Sequence, residues 1–422
     1  MSLILNDILF EYELAIVTAI RNEARYISEW LEYHFRIGVD KFFIYDVEST
    51  DRSELVQILQ PWIDSGVVEY HNETKLGEHL VTVNQVAFEH RCDCRYLCML
   101  SVHEFIFYKG EGTLLEYLHK FFSENDIYSA LAINRVYFGS SGEKFYKPGN
   151  VVERFTYRTP KEFIFNEKIT SIMNPRRVRS IEHDSFGLYY ALSCAVDSES
   201  HLIKWESNPL RETSMIQVNS YYTKSRQEFD EMDALEQPNY FRYRDDNLFD
   251  AMNKDNFVET NFRDFFREVM QKPMPSVHLT GEKIVFENVV RMLEPVADIN
   301  ASDELFENQA EKFMTCFLLS QRRLKNIDEK KRRAIEDFAL QSLYRTMTVS
   351  EVKTWSMVWI IDSLPEFFQS RSEPALKIIL GCKKIIGELA SMVGSYGRDW
   401  EDAGDLVERK RLLDVLFSEN MS

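Results

Sequence analysis

A chain of 422 residues has room for two domains with sizeable cores, and at 45% hydrophobic and 28% charged its composition is that of an ordinary globular protein. The formal net charge of −18 excludes broad binding to nucleic acid or to an anionic membrane face, because phosphate surfaces need a basic field. Six cysteines are too few for a disulfide framework, and no apolar run reaches the ~20 residues of a membrane span. A cytoplasmic protein with neither leader nor transmembrane segment is expected.

Residues 14–19 form a short apolar run without a period, the pattern of a strand buried on both faces of a parallel sheet. A helix is expected next, with Asn22 as its N-cap, Tyr26, Trp30, Tyr33 and Ile37 at helical spacing, and Gly38 as its stop. Residues 42–45 read as the second strand, closed by Asp46 and the turn-forming Ser49, Thr50 and Asp51. A helix over 54–62, a strand over 67–70, a helix over 78–90 and a strand over 95–100 continue the alternation, which implies a mostly parallel sheet. In such a sheet ligands bind beyond the carboxyl ends of the strands, where Arg21, Asn22, Glu23 and Asp46 fall. The Gly-x-Gly-x-x-Gly turn of a dinucleotide-dependent oxidoreductase is absent after the first strand.

His90, Cys92, Cys94 and Cys98 are close enough in sequence to suggest zinc, but they run straight into an apolar strand rather than forming paired knuckles, so buried thiols are expected. From Ala130 onward strands, turns and polar loops take over, including Gly139-Ser140-Ser141-Gly142. The Lys272-Pro273-Met274-Pro275 break divides a first domain, 1–272, from a second, 276–422. The second reads as helical: Phe306, Ala310, Phe313 and Phe317 share one face, and further helices are expected from Ser350 through Trp355 and Trp359 and over 376–396. It could pack on the first domain, make an oligomer or recruit a protein partner.

An ordered set of short motifs runs through the first domain. It comprises Arg21-Asn22-Glu23, Glu29-Trp30, Tyr33-His34, Tyr45-Asp46, Ser49-Thr50-Asp51, Phe138 to Gly142, Val152 to Phe155, Lys168, Tyr221 to Ser225 and Glu228-Phe229. The set resembles the GT-A glycosyltransferases of the family-92 type, relatives of the family-2 group, over roughly the first 260 residues. The resemblance implies a GT-A α/β fold with a mostly parallel sheet, followed here by an all-α C-terminal region. It also implies transfer of a sugar from a nucleotide-diphosphate donor, a UDP-sugar, to a glycan or glycolipid. Bacterial surface-polysaccharide or lipopolysaccharide assembly is the expected setting.

On this resemblance Ala19, Arg21, Asn22, Glu23, Asp46, Ser101 and Lys168 surround the donor. The metal-binding Asp-x-Asp-Glu-Phe of the family is replaced by Ser101-Val102-His103-Glu104-Phe105, so both aspartates are missing. Two routes stay open. Manganese or magnesium could be held by His103 and Glu104 with His183, or cations such as Arg21, Lys168 and Arg176-Arg177 could answer the leaving phosphates without metal. Glu153 and Asp184 are the candidate bases for the acceptor hydroxyl, against the alternatives of a Glu153–Arg154 ion pair and a His183-Asp184 polar turn. Asn219-Ser220-Tyr221 also departs from the family's Asn-His-Tyr. These departures motivate a rival reading, an inactive GT-A-like protein that binds a sugar or nucleotide.

Overall fold

The computed structural model describes residues 10–74, 85–87, 90, 93–124, 128–175, 178, 194–203, 207–211, 215–232 and 245–275. They fall in the compact unit Tyr12–Tyr189 and Cys194–Leu279, apart from Phe10 and Glu11. The helices expected beyond residue 275 lie outside the described residues. Among the described residues no helix is long and apolar enough to cross a membrane.

The expected alternation is observed. Strand β1 (Tyr12–Ile20) leads to α1 (Ile27–Arg36), β2 (Lys41–Val47), α2 (Arg52–Asp64) and β3 (Val68–Thr74). Strand β4 (Cys94–Met99) follows; of the helix expected over 78–90, only 85–87 and His90 are described. Strands β1, β2, β3 and β4 are mutually parallel. Leu14, Ala15, Ile16 and Val17 are all fully buried, so both faces of β1 are covered, as its unbroken apolar run requires.

Strand β5 (Glu104–Tyr108) and helix α3 (Leu114–Glu124) were not anticipated, nor were the helices after residue 130, the last of them α7 (Asn261–Gln271). The half between contains β6 (Tyr128–Tyr137), α4 (Val151–Arg154), β7 (Tyr157–Arg158), a 3-10 turn (Ile164–Glu167), β8 (Ile169–Met173) and β9 (Cys194–Val196). Then come β10 (Ile216–Ser220), α5 (Arg226–Glu231), α6 (Asp246–Asn253) and β11 (Phe257–Val258). The large sheet runs β3-β2-β1-β4-β8-β6-β10-β5, with β9 beside β6, while β7 and β11 pair apart from it. Only β8 and β5 run against the rest, so the sheet is mostly parallel, as expected.

Helix α1 closes one side of this sheet by reading the open backbone edge of β5. Trp30 Nε1 donates to the Glu104 carbonyl at 2.9 Å and Tyr33 Oη to the Ile106 carbonyl at 2.5 Å. The Ile106 amide donates to His34 Nε2 at 3.4 Å, while His34 Nδ1 meets the Trp30 carbonyl at 2.8 Å. The ring is therefore the neutral, Nδ1-protonated tautomer. An uncovered edge strand is a template for stray pairing, and three side chains of one helix occupy this one. Helix α7 then lays Phe262 and Phe266 against Tyr33, with ring centroids 5.6 and 5.4 Å away.

The start of α1 differs from expectation. Tyr26 occupies the N-cap and no side chain caps the helix. Asn22 instead adopts the left-handed backbone region, φ 58°, a conformation asparagine tolerates. Its side chain is needed elsewhere. Gly38 ends the segment at φ +109°, as a glycine stop should.

Candidate functional site

The loop after β1 and the turn after β2 are knitted together at the carboxyl edge of the sheet. Asn22 Oδ1 accepts from the Thr50 amide at 2.7 Å and from Thr50 Oγ1 at 2.9 Å, and the Asn22 amide donates to Ser49 Oγ at 3.0 Å. The Ala24 amide donates to Asp51 Oδ2 at 3.0 Å. Asp46 is fully buried and accepts from the Ser49 amide at 2.9 Å, Arg52 Nε at 2.8 Å and Tyr70 Oη at 2.6 Å. Burial alone would raise its pKa, but the three hydrogen bonds outweigh burial and hold the carboxyl below its ordinary value. Asp46 thus fixes the turn as an anion.

A cavity of about 300 Å³ opens between these two loops and α5. Arg21, Asn22, Glu23 and Tyr26 line it from the first loop, Thr50, Asp51 and Glu54 from the second, and Glu228, Glu231 and Met232 from the third segment. The N-caps of α1 (Tyr26) and α2 (Asp51) both lie in this wall, and neither helix carries a side-chain cap. Two sets of helix N-terminal amides are therefore directed to this end of the sheet.

Glu228 anchors the third wall. Ser225 and Glu228 form a capping box, the Ser-x-x-Glu pattern that marks a helix start, at α5. The same carboxylate accepts from Tyr26 Oη at 2.9 Å and from both terminal nitrogens of Arg154, at 3.0 and 2.5 Å. Burial works against the charged form, yet Arg154, Ser225 and Tyr26 together keep the carboxyl below its usual range. Arg25 pairs with Glu231 at 2.9 Å, and the guanidinium carbons of Arg25 and Arg154 lie 5.0 and 5.2 Å from the Tyr146 ring centroid. Lys224, 1% exposed, holds its Nζ 4.1 Å from the Tyr26 ring centroid. Motifs some 200 residues apart in sequence, at Tyr26, Arg154 and Lys224 to Glu228, thus converge on one network. Sequence reasoning quoted these motifs but did not assign Tyr26, Arg25, Asp51 or Glu228 to the site. The capping-box pattern was the available signal.

The other sequence candidates are dispersed. Glu104 and Arg135 form a fully buried ion pair, Arg135 Nε to Glu104 Oε1 at 2.5 Å, and Glu104 Oε2 accepts the Ser101 amide at 3.1 Å. Each oxygen already has a donor, and a metal ion there would sit beside a guanidinium. His103 is buried with its ring 5.4 Å from that of Tyr222. Among the described residues no group of three histidine, cysteine or acidic side chains is placed to hold a metal. Of the three expected metal ligands, Glu104 is thus paired with Arg135, His103 is buried and His183 lies outside the described residues.

Lys168 ends the 3-10 turn, and its carbonyl accepts from the Arg135 amide at 2.9 Å. Ala19 faces Tyr45 in the β1–β2 register. Neither lines the cavity. Glu153 pairs not with Arg154 but with Arg267 of α7, whose Nε reaches Oε1 at 2.6 Å. Ser140 donates its amide and hydroxyl to Asn253 Oδ1, at 2.7 and 2.8 Å, and Ser141 Oγ accepts the Thr156 and Tyr157 amides, so the Gly-Ser-Ser-Gly turn ties chain segments together. His90 bonds Asp93 at 3.0 Å, and Cys94 and Cys98 are buried in β4. His183, Asp184, Arg176, Arg177 and Cys92 lie outside the described residues.

The sequence pattern of glycosyltransferase family 92 matches residues 17–255, which holds both loops, α5 and the whole of the network above. A family 92 protein of Oryza sativa subsp. japonica is 30% identical over 115 residues, 26% of this chain and 19% of its own length. One of Ricinus communis is 28% identical over 144 residues, 31% of this chain and 24% of its own. One of Arabidopsis thaliana is 26% identical over 104 residues, 23% and 17% respectively. The chain therefore spans under a third of the length of these relatives. With more than half its residues inside the family pattern, the chain belongs to glycosyltransferase family 92.

Proposed function

We propose that this chain transfers a sugar from a nucleotide-diphosphate donor, a UDP-sugar, to a glycan or glycolipid acceptor. The carrying observation is the convergence of the uncapped N-termini of α1 and α2 on one cavity that also holds Arg21. Helix N-terminal amides and a guanidinium are the groups that bind phosphate oxygens. Three carboxylates of the same wall are already engaged, Glu228 by Arg154, Glu231 by Arg25 and Asp51 by the Ala24 amide. Glu23 and Glu54 line the cavity as well, and carboxylates accept from ribose or sugar hydroxyls.

The transfer we propose needs no metal at Ser101 to Glu104, because Glu104 is taken by Arg135. Fixed amides and Arg21 would stabilise the charge that develops on the leaving diphosphate. With Glu153 held by Arg267, Asp184 is the remaining candidate base. The rival reading, a binding protein without turnover, is favoured by the same loss of both metal-binding aspartates. A bacterial surface-polysaccharide setting draws no support from the relatives, which are plant proteins.

Thermal shift with UDP and UDP-sugars tests this, run with manganese and again with excess chelator, because a ligand that binds the folded state raises its apparent stability. A shift indifferent to chelator, with donor turnover, is expected. A shift without turnover selects the binding-protein reading; a shift that needs manganese overturns the metal-free mechanism; no shift removes the donor assignment.

A further inference from the structure

We propose that Arg25 is a second cationic ligand of the donor's diphosphate, held ready in the cavity wall by Glu231 and Tyr146. The proposal rests on the donor-binding reading above. Arg21 and Arg25 are the two guanidiniums among the lining residues, and the other charged groups there are carboxylates. Arg21 is shared with Glu48, 3.9 Å away. A diphosphate carries more than one negative charge, so beside that acidic wall a single guanidinium leaves it under-compensated. Arg25 directly precedes Tyr26, the N-cap of α1, which puts its charge at the same end as the α1 amides.

A closed set of contacts orients Arg25. Its Nη1 donates to Glu231 Oε2 at 2.9 Å, and Gln227 Nε2 donates to Glu231 Oε1 at 2.6 Å. The Tyr146 amide donates to Gln227 Oε1 at 3.1 Å, and the Tyr146 ring centroid lies 5.0 Å from the Arg25 guanidinium carbon. An exposed ion pair by itself is weak and loosely oriented, but stacking on a ring restrains the guanidinium plane while the pair sets its direction. The ring is fixed in turn. Residues 143–146 run along the start of α5, where the Arg226 and Gln227 amides donate to the Glu143 and Lys144 carbonyls at 3.1 and 3.0 Å. Glu231 takes an N–H of Nη1 only, and the Arg25 side chain is 49% exposed, so donors remain for phosphate oxygens without breaking the pair.

The test is calorimetry on the full chain with pyrophosphate, UDP, UDP-glucose and uridine, alongside melting curves. It compares the native protein with Arg25→Gln, Arg25→Lys, Tyr146→Leu and the double variant Arg25→Gln/Glu231→Gln. Arg25→Gln is expected to bind UDP and pyrophosphate about tenfold more weakly or worse, while uridine binding is unchanged. Arg25→Lys should regain part of the loss, since lysine brings the charge without the fork. Tyr146→Leu keeps the charge but loses its platform, and should bind UDP about two- to fivefold more weakly. The double variant should stay well below native affinity for UDP.

Equal losses for UDP and uridine, or losses that follow the melting temperature alone, would reduce Arg25 to a structural role. A double variant restored to native affinity would mean that Arg25 acts only by neutralising Glu231, which also overturns the proposal. Native-like UDP binding by Arg25→Gln would do the same and leave the donor reading with Arg21 and the amides. Pyrophosphate held through Arg25 by a native chain that ignores UDP would keep the anion site and remove the nucleotide reading. Silence towards pyrophosphate, UDP and UDP-glucose alike would remove both.

Discussion

His34 shows how much one motif residue can carry without touching a ligand. Its imidazole is fully buried between the Trp30 carbonyl and the Ile106 amide, and burial lowers its pKa to about 3 against the raising effect of the Trp30 bond. In the unfolded chain it titrates near ~6.5. Between those values the unfolded state binds more protons, so the stability His34 contributes is present above pH ~6.5 and is lost as pH falls towards 3. Glu29 acts with the opposite sign. Burial raises it to about 7, outweighing the Val151 and Val152 amides, so its contribution is present below its unfolded value and lost as pH rises through 7. Urea unfolding of His34→Gln across pH 4–6.5 should show its deficit relative to the native chain growing by about 1.4 kcal/mol per pH unit as pH rises. A deficit independent of pH would mean that His34 is not held neutral. The Tyr33-His34 motif was visible in the sequence as a family signature, but its work, covering the edge of β5, was not, because β5 is set 70 residues away by the sheet.

At the scale of elements, the apolar runs of β1, β2, β3 and β4 and the periodicity of α1 and α2 were read correctly, since both signals are local. Strand β5 was missed because Glu104 to Tyr108 follows β4 after only a short turn and its polar first residue hides the pattern. The turn at Gly139 shows a constraint that no local rule reveals. A Cβ there would lie 2.4 Å from Asn256 Nδ2, 2.7 Å from Asn253 Oδ1 and 2.8 Å from the Met252 carbonyl, so α6 packs directly on the glycine backbone. Gly139→Ala is expected to cost about 1–3 kcal/mol in chemical denaturation, the usual cost of overpacking. An unchanged midpoint would show that α6 shifts away freely. Ser140 donates to Asn253 in the same contact. Glycine and serine in that turn serve the packing of α6.

For the whole molecule, a net charge of −18 means self-repulsion in the folded state that salt should screen. Raising ionic strength from low salt to ~0.15 M, where the Debye length is about 8 Å, should raise the melting temperature by about 2–4 °C. A fall would mean that exposed ion pairs such as Arg25–Glu231 and Arg267–Glu153 outweigh the repulsion. The same acidic balance makes a local anion site depend on fixed amides and a few arginines.

The sequence by itself determined the α/β alternation, the mostly parallel sheet and the family, because hydrophobic period, turn chemistry and ordered motifs are properties of short windows. It also brought Arg21, Asn22 and Glu23 to the right end of the sheet, since a strand's carboxyl end is where the next loop must begin. Which carboxylates are spent on structure was decided only in three dimensions. Glu104 meets Arg135, Glu153 meets Arg267 and Glu228 meets Arg154 across separations of 31, 114 and 74 residues. A charge has no character of its own in a sequence; the partner that the fold sets beside it, and the water that burial removes, decide whether it holds a turn or faces a ligand.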